Sequence, residues 1–408
     1  MFPLEASLRR VVVRGALTAI DADGRVHRFA GRLPGRDITL RFHDRRLPWR
    51  MLFQPDLAFG EGYMDGRVTV ENSDIADAIA FLFENIHESG DHWVRKLNRG
   101  IAHMLRRMQQ FNPAPRAKRN VQHHYDLSVD LYRLFLDQDM QYSCAYFRSP
   151  SESLEAAQRN KKAHIAAKLL IEKAGLKVLD IGSGWGGLAL DLARNAGAAV
   201  TGVTLSEEQI KIASARAAEA GLGNQVQFRL EDYRAVQGTF DRIVSVGMFE
   251  HVGVNHYPQF FATCRRLLAE DGVGLLHTIG RSDGPGHTNA WIRKYIFPGG
   301  YSPALSEIVP VMERAGLCIT DIEVLRYHYA DTLKAWRRRF LANRAQAVAL
   351  YDERFARMWE FYLSASEAAF RNSHHVVFQI QFSRRKDAVP PGREYLYVRR
   401  TQRQDVAA

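Results

Sequence analysis

From about residue 121 onward, short apolar runs alternate with longer segments in which apolar residues recur every three or four positions. The short runs predict strands at 177–181, 199–204, 226–230, 240–248, 272–279, 318–325 and 376–383. The longer segments predict helices at 151–174, 187–196, 206–220, 257–269, 303–315 and 331–371. Such alternation is typical of a doubly wound, mostly parallel α/β sheet that is covered by helices on both faces.

The first 110 residues have a different pattern. Short strand-like pieces ("GRVHRFAG", "DITLRFHD", "GRVTVEN") are mixed with helical stretches near 74–87 and 91–110. We therefore predict a smaller α+β domain over 1–110 and, because "FNPAPRAKRN" combines prolines with basic residues, a linker over 111–122. The α/β domain is then expected over 123–385. A basic tail over 386–408 follows, whose arginines could contact lipid headgroups or simply be solvated.

The chain has a formal net charge of +11 over 408 residues. This excess favours an anionic partner, namely nucleic acid, a membrane surface or an acidic substrate, and it also fits a merely soluble basic protein. The three cysteines show no metal-ligand spacing, which indicates a reducing, cytoplasmic compartment. We find no convincing signal peptide and no apolar run near the roughly 18 residues that cross a bilayer, so any membrane contact should be peripheral.

The candidate cofactor loop is "VLDIGSGWGG" at 178–187. Gly182, Gly184 and Gly187 satisfy the G-x-G-x-x-G pattern, which alone would also fit a nicotinamide dinucleotide. Asp180 precedes the first glycine, where an anion would repel a pyrophosphate. The same anion suits S-adenosylmethionine, which carries a sulfonium and an ammonium group.

The next two strands supply polar groups for a nucleoside. The carboxylate expected about 20 residues after the glycines is missing, and Thr204 stands at the end of that strand. Gln209, one turn into the following helix, could reach the ribose instead. Asp232 ends the third strand and could bind the adenine amino group, or it could be a solvated turn residue.

The stretch "SVGMFEHVG" at 245–253 ends an apolar run on a carboxylate. Ligands of open α/β sheets bind beyond the carboxyl ends of the strands, so Glu250 is expected in the site. His277 ends the next strand, which the predicted strand order places beside Glu250. His251 would point to the opposite face if the strand continued, so we expect it to be structural.

Several motifs occur together in a fixed order. They are "DIGSGWGG", "TLSEEQ", "EDYR", "GMFEHVG" and "LLHTIG", with "HHYDLS" and "YSCAYF" upstream and "HYADTLKAW" downstream. With them the chain resembles the cyclopropane-fatty-acyl-phospholipid synthases, most strongly over 120–385. Residues 54–72, "QPDLAFGEGYMDGRVTVEN", resemble the N-terminal domain of that family. The related mycolic acid cyclopropane synthases share the catalytic domain.

The resemblance implies a seven-stranded class I methyltransferase sheet with a smaller lipid-binding domain in front of it. It also implies transfer of the methyl group of S-adenosylmethionine to a cis double bond in a membrane phospholipid. A carbocation forms and loses a proton to bound bicarbonate as the ring closes. By the same resemblance a homodimer and a peripheral membrane location are expected.

The resemblance also assigns residues. Bicarbonate would be held by Cys144, Glu250, His277, Tyr329 and the backbone of Ile279. The cofactor would be bound by Tyr125, Tyr142, Ser143, Asp180, Gly182, Gly184, Gly186, Thr204, Leu205, Gln209, Asp232 and Tyr233. The carbocation needs electron-rich walls that are not nucleophiles, for which the candidates are Tyr142, Tyr146, Phe147, Phe249 and Tyr329. Ordinary core packing would explain each of these rings equally well.

Four alternatives stay open. The same methyl transfer could give a methylene- or methyl-branched chain. The protein could be a small-molecule methyltransferase, or a lipid-binding protein with a relic cofactor site. A nucleic-acid methyltransferase fits the charge, but "GMFEHVG" stands where an asparagine–proline–aromatic motif would follow the fourth strand. No metal is expected, because the adjacent histidines of "HHYD" cannot easily share one ion.

Overall fold

The computed structural model describes residues 2–88 and 127–397. The helix predicted at 91–110, the linker at 111–122 and Tyr125 lie outside these ranges. So does the last part of the basic tail.

The N-terminal block is an α+β unit. Its elements are α1 (Glu5–Val11), β1 (Arg14–Ile20), β2 (Val26–Ala30), β3 (Leu33–Phe42), α2 (Leu47–Phe53), α3 (Pro55–Met64), β4 (Val68–Val70) and α4 (Ile75–Glu88). The strands form one sheet in the order β2-β1-β3-β4, in which β1 and β3 run parallel. The sequence pattern predicted β2, β3, β4 and α4 but neither β1 nor the first three helices. Helix α3 has no one-sided apolar stripe, because it is buried at six of its ten positions.

The larger unit is built around seven strands. They are β5 (Lys177–Ile181), β6 (Ala199–Thr204), β7 (Val226–Leu230), β8 (Phe240–Val246), β9 (Leu268–Arg281), β10 (Cys318–Leu325) and β11 (His375–Ser383). Their order is β10-β11-β9-β8-β5-β6-β7, and β11 is antiparallel to both of its neighbours. The remaining strand pairs are parallel. This is the predicted seven-stranded, mostly parallel sheet, so the predicted fold class is confirmed.

Helices cover this sheet. They are α5 (Val129–Arg133), α6 (Leu154–Lys168), α7 (Gly187–Ala196), α8 (Glu207–Glu219), α9 (Tyr257–Leu267), α10 (Ala290–Tyr295), α11 (Leu305–Arg314), α12 (His328–Ala342), α13 (Arg344–Leu350) and α14 (Glu353–Asn372). The long helical region predicted over 331–371 is present, but it consists of three helices, because the chain breaks at Asn343 and again at Tyr351–Asp352. The Asp352 side chain then caps α14 by accepting a hydrogen bond from the amide of Phe355.

The N-terminal block packs directly against the larger unit. Helix α3 lies so close to α10 that a Cβ on Gly60 would come within 2.5 Å of the Trp291 ring. Phe59 of α3 meets Phe361 of α14 edge-on, with 5.9 Å between ring centroids. Both units therefore share one apolar core, and α14 is the helix that joins the N-terminal block to the large sheet.

The first part of the predicted basic tail is folded onto the large sheet. Val389 packs with Leu170 and Val273, and the Tyr395 hydroxyl bonds to Gln381 of β11. Val273 lies near the start of β9, at the edge of the sheet opposite the carboxyl ends of the parallel strands. Among the described residues, no helix combines the length and the apolar character that a membrane span requires.

Candidate active site

The glycine loop makes a tight turn from β5 into α7. Gly182, Gly184 and Gly186 all have positive φ angles, of +86°, +55° and +82°, which residues other than glycine rarely adopt. A Cβ on Gly182 would lie 2.7 Å from Met248, and one on Gly186 would lie 2.6 Å from the ring of Phe228. Gly182 therefore keeps the cavity open beside Met248, whereas Gly186 serves the packing of α7 against β7.

A cavity lies at the carboxyl ends of β5, β6, β7 and β8, which is where an open α/β sheet binds its ligand. Ten of the predicted cofactor residues line it: Tyr142, Ser143, Asp180, Gly182, Gly184, Thr204, Leu205, Gln209, Asp232 and Tyr233. Two of these residues lie in β5 and β6, and the others lie in the loops after β5, β6 and β7, on α8 and in the loop before α6. The fold thus brings together residues that are spread over about ninety positions of the sequence.

Lys161 of α6 also lines this cavity, and the sequence analysis missed it. Its side chain is fully buried, and its Nζ donates hydrogen bonds of 2.7 Å to Gln141 Oε1 and Ser143 Oγ. Burial lowers the pKa of Lys161 to about 8, and burial raises the pKa of Asp180 to about 7 although Lys161 opposes that rise. No signal in the sequence marks it, because a lysine in a helix with this many polar residues is usually solvated.

The polar groups at the nucleoside end are held in place by their neighbours. Thr204 Oγ1 donates to Gln209 Oε1 over 2.8 Å, which directs the Gln209 amide along the cavity wall. Asp232 accepts two hydrogen bonds from the Arg234 guanidinium and one from the Arg234 amide, so it is a turn residue whose carboxylate is held by its neighbour. Burial raises the pKa of Asp232, but Arg234 outweighs that effect and the pKa is lowered. Asp232 is therefore ionised and fixed.

Glu250 lies beyond β8 on a short 3₁₀ helix, Phe249–His251, and not on the strand itself. Its Oε1 accepts a hydrogen bond of 2.6 Å from the amide of Ile279, whereas its Oε2 is buried without a hydrogen-bond partner among the described residues. Burial raises the pKa of Glu250 to about 7, although the Ile279 amide stabilises the charged form. An unpaired buried carboxylate oxygen is costly, which is typical of a group that binds a ligand.

His251 differs from the expectation. The strand ends at Val246, so the condition under which His251 would point away from Glu250 is not met. His251 instead lines the cofactor cavity, and its ring lies 5.9 Å from that of Phe297. Burial lowers its pKa to about 4, which keeps the imidazole neutral.

His277 pairs with Val246 of β8 on one side and with Gln379 of β11 on the other. The strand ends are adjacent as predicted, but the ring of His277 bonds to Gln379, over 3.1 Å from Nδ1 to Nε2. In this orientation of the amide, Gln379 donates to Nδ1 and the ring proton resides on Nε2. Burial, and then the nearby Lys161, lower the pKa of His277 to about 3, so the ring is neutral.

Cys144 and Tyr329 belong to the same apolar cluster, against which Ile279 also packs. The Cys144 thiol donates to the carbonyl of Ala145, and burial raises the pKa of this thiol well above its ordinary value. A buried neutral thiol is a poor nucleophile, so Cys144 can serve as a hydrogen-bond donor but not as an attacking group. Thr332 of α12 fixes this loop by accepting from the amide of Ala145.

The five candidate aromatic rings differ in whether they line the cofactor cavity. Tyr142 lines the cavity, stacks on Trp336 with 5.1 Å between centroids and shares a hydrogen bond of 2.8 Å with the Tyr362 hydroxyl. Phe249, by contrast, is fully buried against Tyr257 and Phe260, which is ordinary core packing.

The remaining aromatic candidates lie on α12 or against it. Tyr146 is sandwiched between the rings of His164 and His328, at 4.4 and 4.8 Å, and the amide of Phe147 donates to His328. Tyr329 meets the face of Trp336 edge-on at 5.8 Å. Of the five rings, only Tyr142 lines the cofactor cavity.

The cavity suits S-adenosylmethionine. A Cβ at Gly182 would fill its glycine-lined floor, and its far end carries the fixed carboxylate of Asp232. Asp180 and Lys161, whose charges interact, both line the cavity as well. One anion and one cation match the ammonium and carboxylate of an amino acid. Among the described residues, no group of three or more histidine, cysteine or acidic side chains could hold a metal ion.

A family model and several relatives of known name match most of the chain. The family model "Mycolic acid cyclopropane synthetase" matches residues 113–380. The chain is 40% identical to the cyclopropane-fatty-acyl-phospholipid synthase of Escherichia coli strain K12, over 82% of this chain and 85% of that protein. It is 38% identical to the tuberculostearic acid methyltransferase UfaA1 of Mycobacterium tuberculosis, over 82% of this chain and 83% of that protein.

Solved structures agree in fold. The cyclopropane synthase MmaA2 from Mycobacterium tuberculosis superposes with a TM-score of 0.62 at 32% identity, over 67% of this chain and 99% of that one. The mycolic acid cyclopropane synthase CmaA1, complexed with SAH and CTAB, has the same TM-score at 34% identity and the same coverage. The chain belongs to the mycolic acid cyclopropane synthetase family and is an S-adenosylmethionine-dependent methyltransferase.

Proposed function

We propose that this enzyme transfers the methyl carbon of S-adenosylmethionine to the cis double bond of an unsaturated acyl chain in membrane phospholipid and closes a cyclopropane ring. The observation that carries the proposal is the buried carboxylate of Glu250, whose Oε2 has no hydrogen-bond partner among the described residues. The relatives support the acyl substrate, since the Escherichia coli protein is named for a fatty acyl phospholipid.

The chain's own residues prepare the methyl donor. Asp180 and Lys161 would hold the amino acid end, Gln209 the ribose and Asp232 the adenine. S-adenosylmethionine, when bound, supplies an electrophilic methyl group. An isolated alkene is a weak nucleophile, so most of the rate must come from holding the double bond in line with that methyl group.

The walls around the methyl group must be electron-rich and dry. Tyr142 lines the cavity with its hydroxyl turned to Tyr362, and burial raises the Tyr142 pKa well above its ordinary value, so the ring stays neutral. A desolvated aromatic face stabilises a cation by about 2 kcal/mol. A neutral phenol does so without trapping the cation as a phenolate would.

A base must then accept one proton from the alkyl cation. The ring of His277 is neutral and can donate its Nε2 proton to an anion, and the neutral thiol of Cys144 can donate by turning away from the carbonyl of Ala145. We propose that bicarbonate is this anion, held between these donors and the hydroxyl of Tyr329, with Glu250 fixing its orientation. Glu250 with a pKa of about 7 can bind the protonated oxygen of bicarbonate when ionised.

The second candidate is the same methyl transfer with a branched product. Two relatives are named as methyltransferases and not as cyclopropane synthases: the tuberculostearic acid methyltransferase UfaA1 and a probable fatty acid methyltransferase of Pseudomonas putida, which is 40% identical over 68% of this chain. The two products diverge only after methyl transfer, when the proton is lost. The donor pocket therefore serves both reactions.

The experiment that tests the proposal uses S-adenosylmethionine and vesicles of cis-unsaturated phospholipid. Acyl chains heavier by one CH₂ unit are expected by mass spectrometry. Mild hydrogenation then separates a ring from a methylene branch, because the methylene branch takes up hydrogen and the ring does not. A saturated methyl branch would be heavier by two further hydrogen atoms and would form only if a reductant were added. Unchanged acyl chains under these conditions would refute both.

The role of Glu250 is tested by Glu250→Gln, with Glu219→Gln on an exposed position of α8 as the matched control. We expect Glu250→Gln to lose most of the activity while still binding the donor, because the donor cavity does not include Glu250. Buffer freed of bicarbonate should slow the wild-type enzyme, and added bicarbonate should restore the rate. Normal turnover of Glu250→Gln would remove Glu250 from the mechanism.

A further inference from the structure

Helix α2 exposes a stripe of large apolar side chains to solvent. Phe53 is 76% exposed, Trp49 54% and Leu52 39%, and Phe53 is the most exposed large apolar side chain in the part of the chain that the structure describes. The three residues are spaced i, i+3 and i+4 on a helix and therefore lie on one face. Single exposed apolar residues need no explanation, but three on one helical stripe indicate an interaction surface.

Basic side chains border this apolar stripe. Arg45 and Arg46 precede the helix and are exposed, and Arg50 lies one turn before Phe53. Arg45 pairs at the surface with Asp23, whereas Arg46 makes no ion pair with any described residue. A short helix with tryptophan and phenylalanine on one face and arginines beside them matches the pattern of elements that lie in a membrane interface.

The helix is held rigidly on the body of the protein. Arg50 donates to Glu61 of α3 over 2.7 Å, and Glu61 also accepts from Lys294 and Tyr295 of α10. Burial alone would raise the pKa of Glu61, but these hydrogen bonds lower it to about 2, so the carboxylate stays charged. The position of α2 is therefore fixed relative to α3 and α10.

The same helices connect the stripe to the donor cavity. Leu47 of α2 packs under Gly62 of α3, where a Cβ would come within 2.6 Å. Tyr63 of α3 meets Phe361 of α14 at 6.1 Å, and the next residue of α14, Tyr362, bonds to Tyr142 in the cavity wall. The surface and the site are thus joined by two packed helices, α3 and α14.

We propose that α2 docks the enzyme on an anionic phospholipid bilayer, with Trp49, Leu52 and Phe53 inserted among the lipids and with Arg46, which makes no ion pair with a described residue, on a lipid phosphate. This inference rests on the proposed function, since it places the site next to its lipid substrate. The three side chains offer at most a few hundred Å², whereas a stable contact with a second copy buries about 800 Å² on each partner. A bilayer needs only a few inserted side chains and a basic border.

The test measures flotation of the full chain with vesicles of phosphatidylglycerol and phosphatidylcholine. We expect the double variant Trp49→Ser/Phe53→Ser to bind at least about tenfold more weakly, because two large apolar side chains lose their burial. Phe53→Leu should bind nearly as well as wild type, and Arg46→Gln should lose part of the preference for anionic over pure phosphatidylcholine vesicles. Val324→Ser on β10 removes an exposed apolar residue elsewhere and should have no effect.

Donor binding and activity in detergent micelles show whether the variants are intact. If wild type and the double variant float equally well, α2 docking is refuted while the proposed function stands. If wild type methylates no unsaturated lipid in vesicles or micelles but its flotation depends on α2, the proposed function fails and the docking surface stands. If the double variant instead dissociates a lipid-free dimer seen for wild type, the face is a contact between copies and the proposal is overturned.

Discussion

Replacing Glu250 by glutamine should make the protein more stable, by an amount that grows from acidic to neutral pH. Glutamine has nearly the same shape and still offers an oxygen to the Ile279 amide, but it cannot ionise. The native environment disfavours the ionised form of Glu250, because burial raises its pKa from 4.5 to about 7. The substitution therefore removes a charge that the folded state holds at a cost.

The size of the effect follows from that pKa. Each pH unit between the unfolded and folded values corresponds to about 1.4 kcal/mol, so ionised Glu250 destabilises the fold by about 3 kcal/mol. The sign follows from proton linkage. Below pH 4.5 both states are protonated and there is no penalty. The penalty grows as the pH rises from 4.5 to 7, and above pH 7 it is complete and constant.

The assay is thermal unfolding of wild type and Glu250→Gln without ligands at pH 5 and at pH 8. Unfolding entropy is about 2.1 cal/mol/K per residue. For 408 residues unfolding together, about 3 kcal/mol then corresponds to a rise in Tm of about 4 °C at pH 8 and about 1 °C at pH 5. Glu219→Gln at an exposed position should show the same Tm as wild type at both values.

An equal change at both pH values would refute the reasoning, because the effect would then not come from ionisation. A loss of stability at pH 8 would also refute it. In that case the carboxylate would be satisfied by its surroundings and would not be waiting for a ligand.

Three further substitutions test the supporting residues. Lys161→Met should raise the KM for S-adenosylmethionine at least about tenfold with a smaller change in kcat, because a buried charged hydrogen-bond donor is lost; an unchanged KM in steady-state kinetics would contradict this. Gly182→Ala should abolish donor binding in calorimetry, since the new Cβ would meet Met248 at 2.7 Å and the φ angle of +86° strains alanine. Gln379→Leu should lower kcat about tenfold and leave donor binding intact, because His277 loses the partner that fixes its proton; normal kcat would show that the amide has no such role.

The donor loop and Glu250 could be predicted from the sequence because each follows a buried parallel strand. The carboxyl ends of such strands meet at one edge of the sheet, so motifs far apart in the chain converge there. The end of β8 was predicted two residues too late, at 248 instead of Val246. The glycine at 247, with a φ angle of +70°, ends β8 before Glu250, and this turned His251 toward the cavity.

The residues that the sequence analysis missed come from helices and from the antiparallel strand. Lys161, Tyr362 and Gln379 reach the site only through tertiary packing of α6, α14 and β11 against the sheet. No local pattern marks them as polar groups of a site, because a lysine or a glutamine in an amphipathic segment is usually solvated. Helix α3 was missed for a related reason, since a segment buried on most sides has no polar face to reveal its period. Helix α2 was missed for the opposite reason, because its apolar residues Trp49, Leu52 and Phe53 lie on the solvent side and do not mark a buried face.

The most direct test of methyl transfer followed by ring closure uses S-adenosylmethionine with a fully deuterated methyl group and vesicles of cis-unsaturated phospholipid. We expect the label to appear on the acyl chain as one carbon that has lost one of its three deuterium atoms and that survives mild hydrogenation unchanged. A label that keeps all three deuterium atoms, or that is attached to a headgroup instead of the acyl chain, would contradict it.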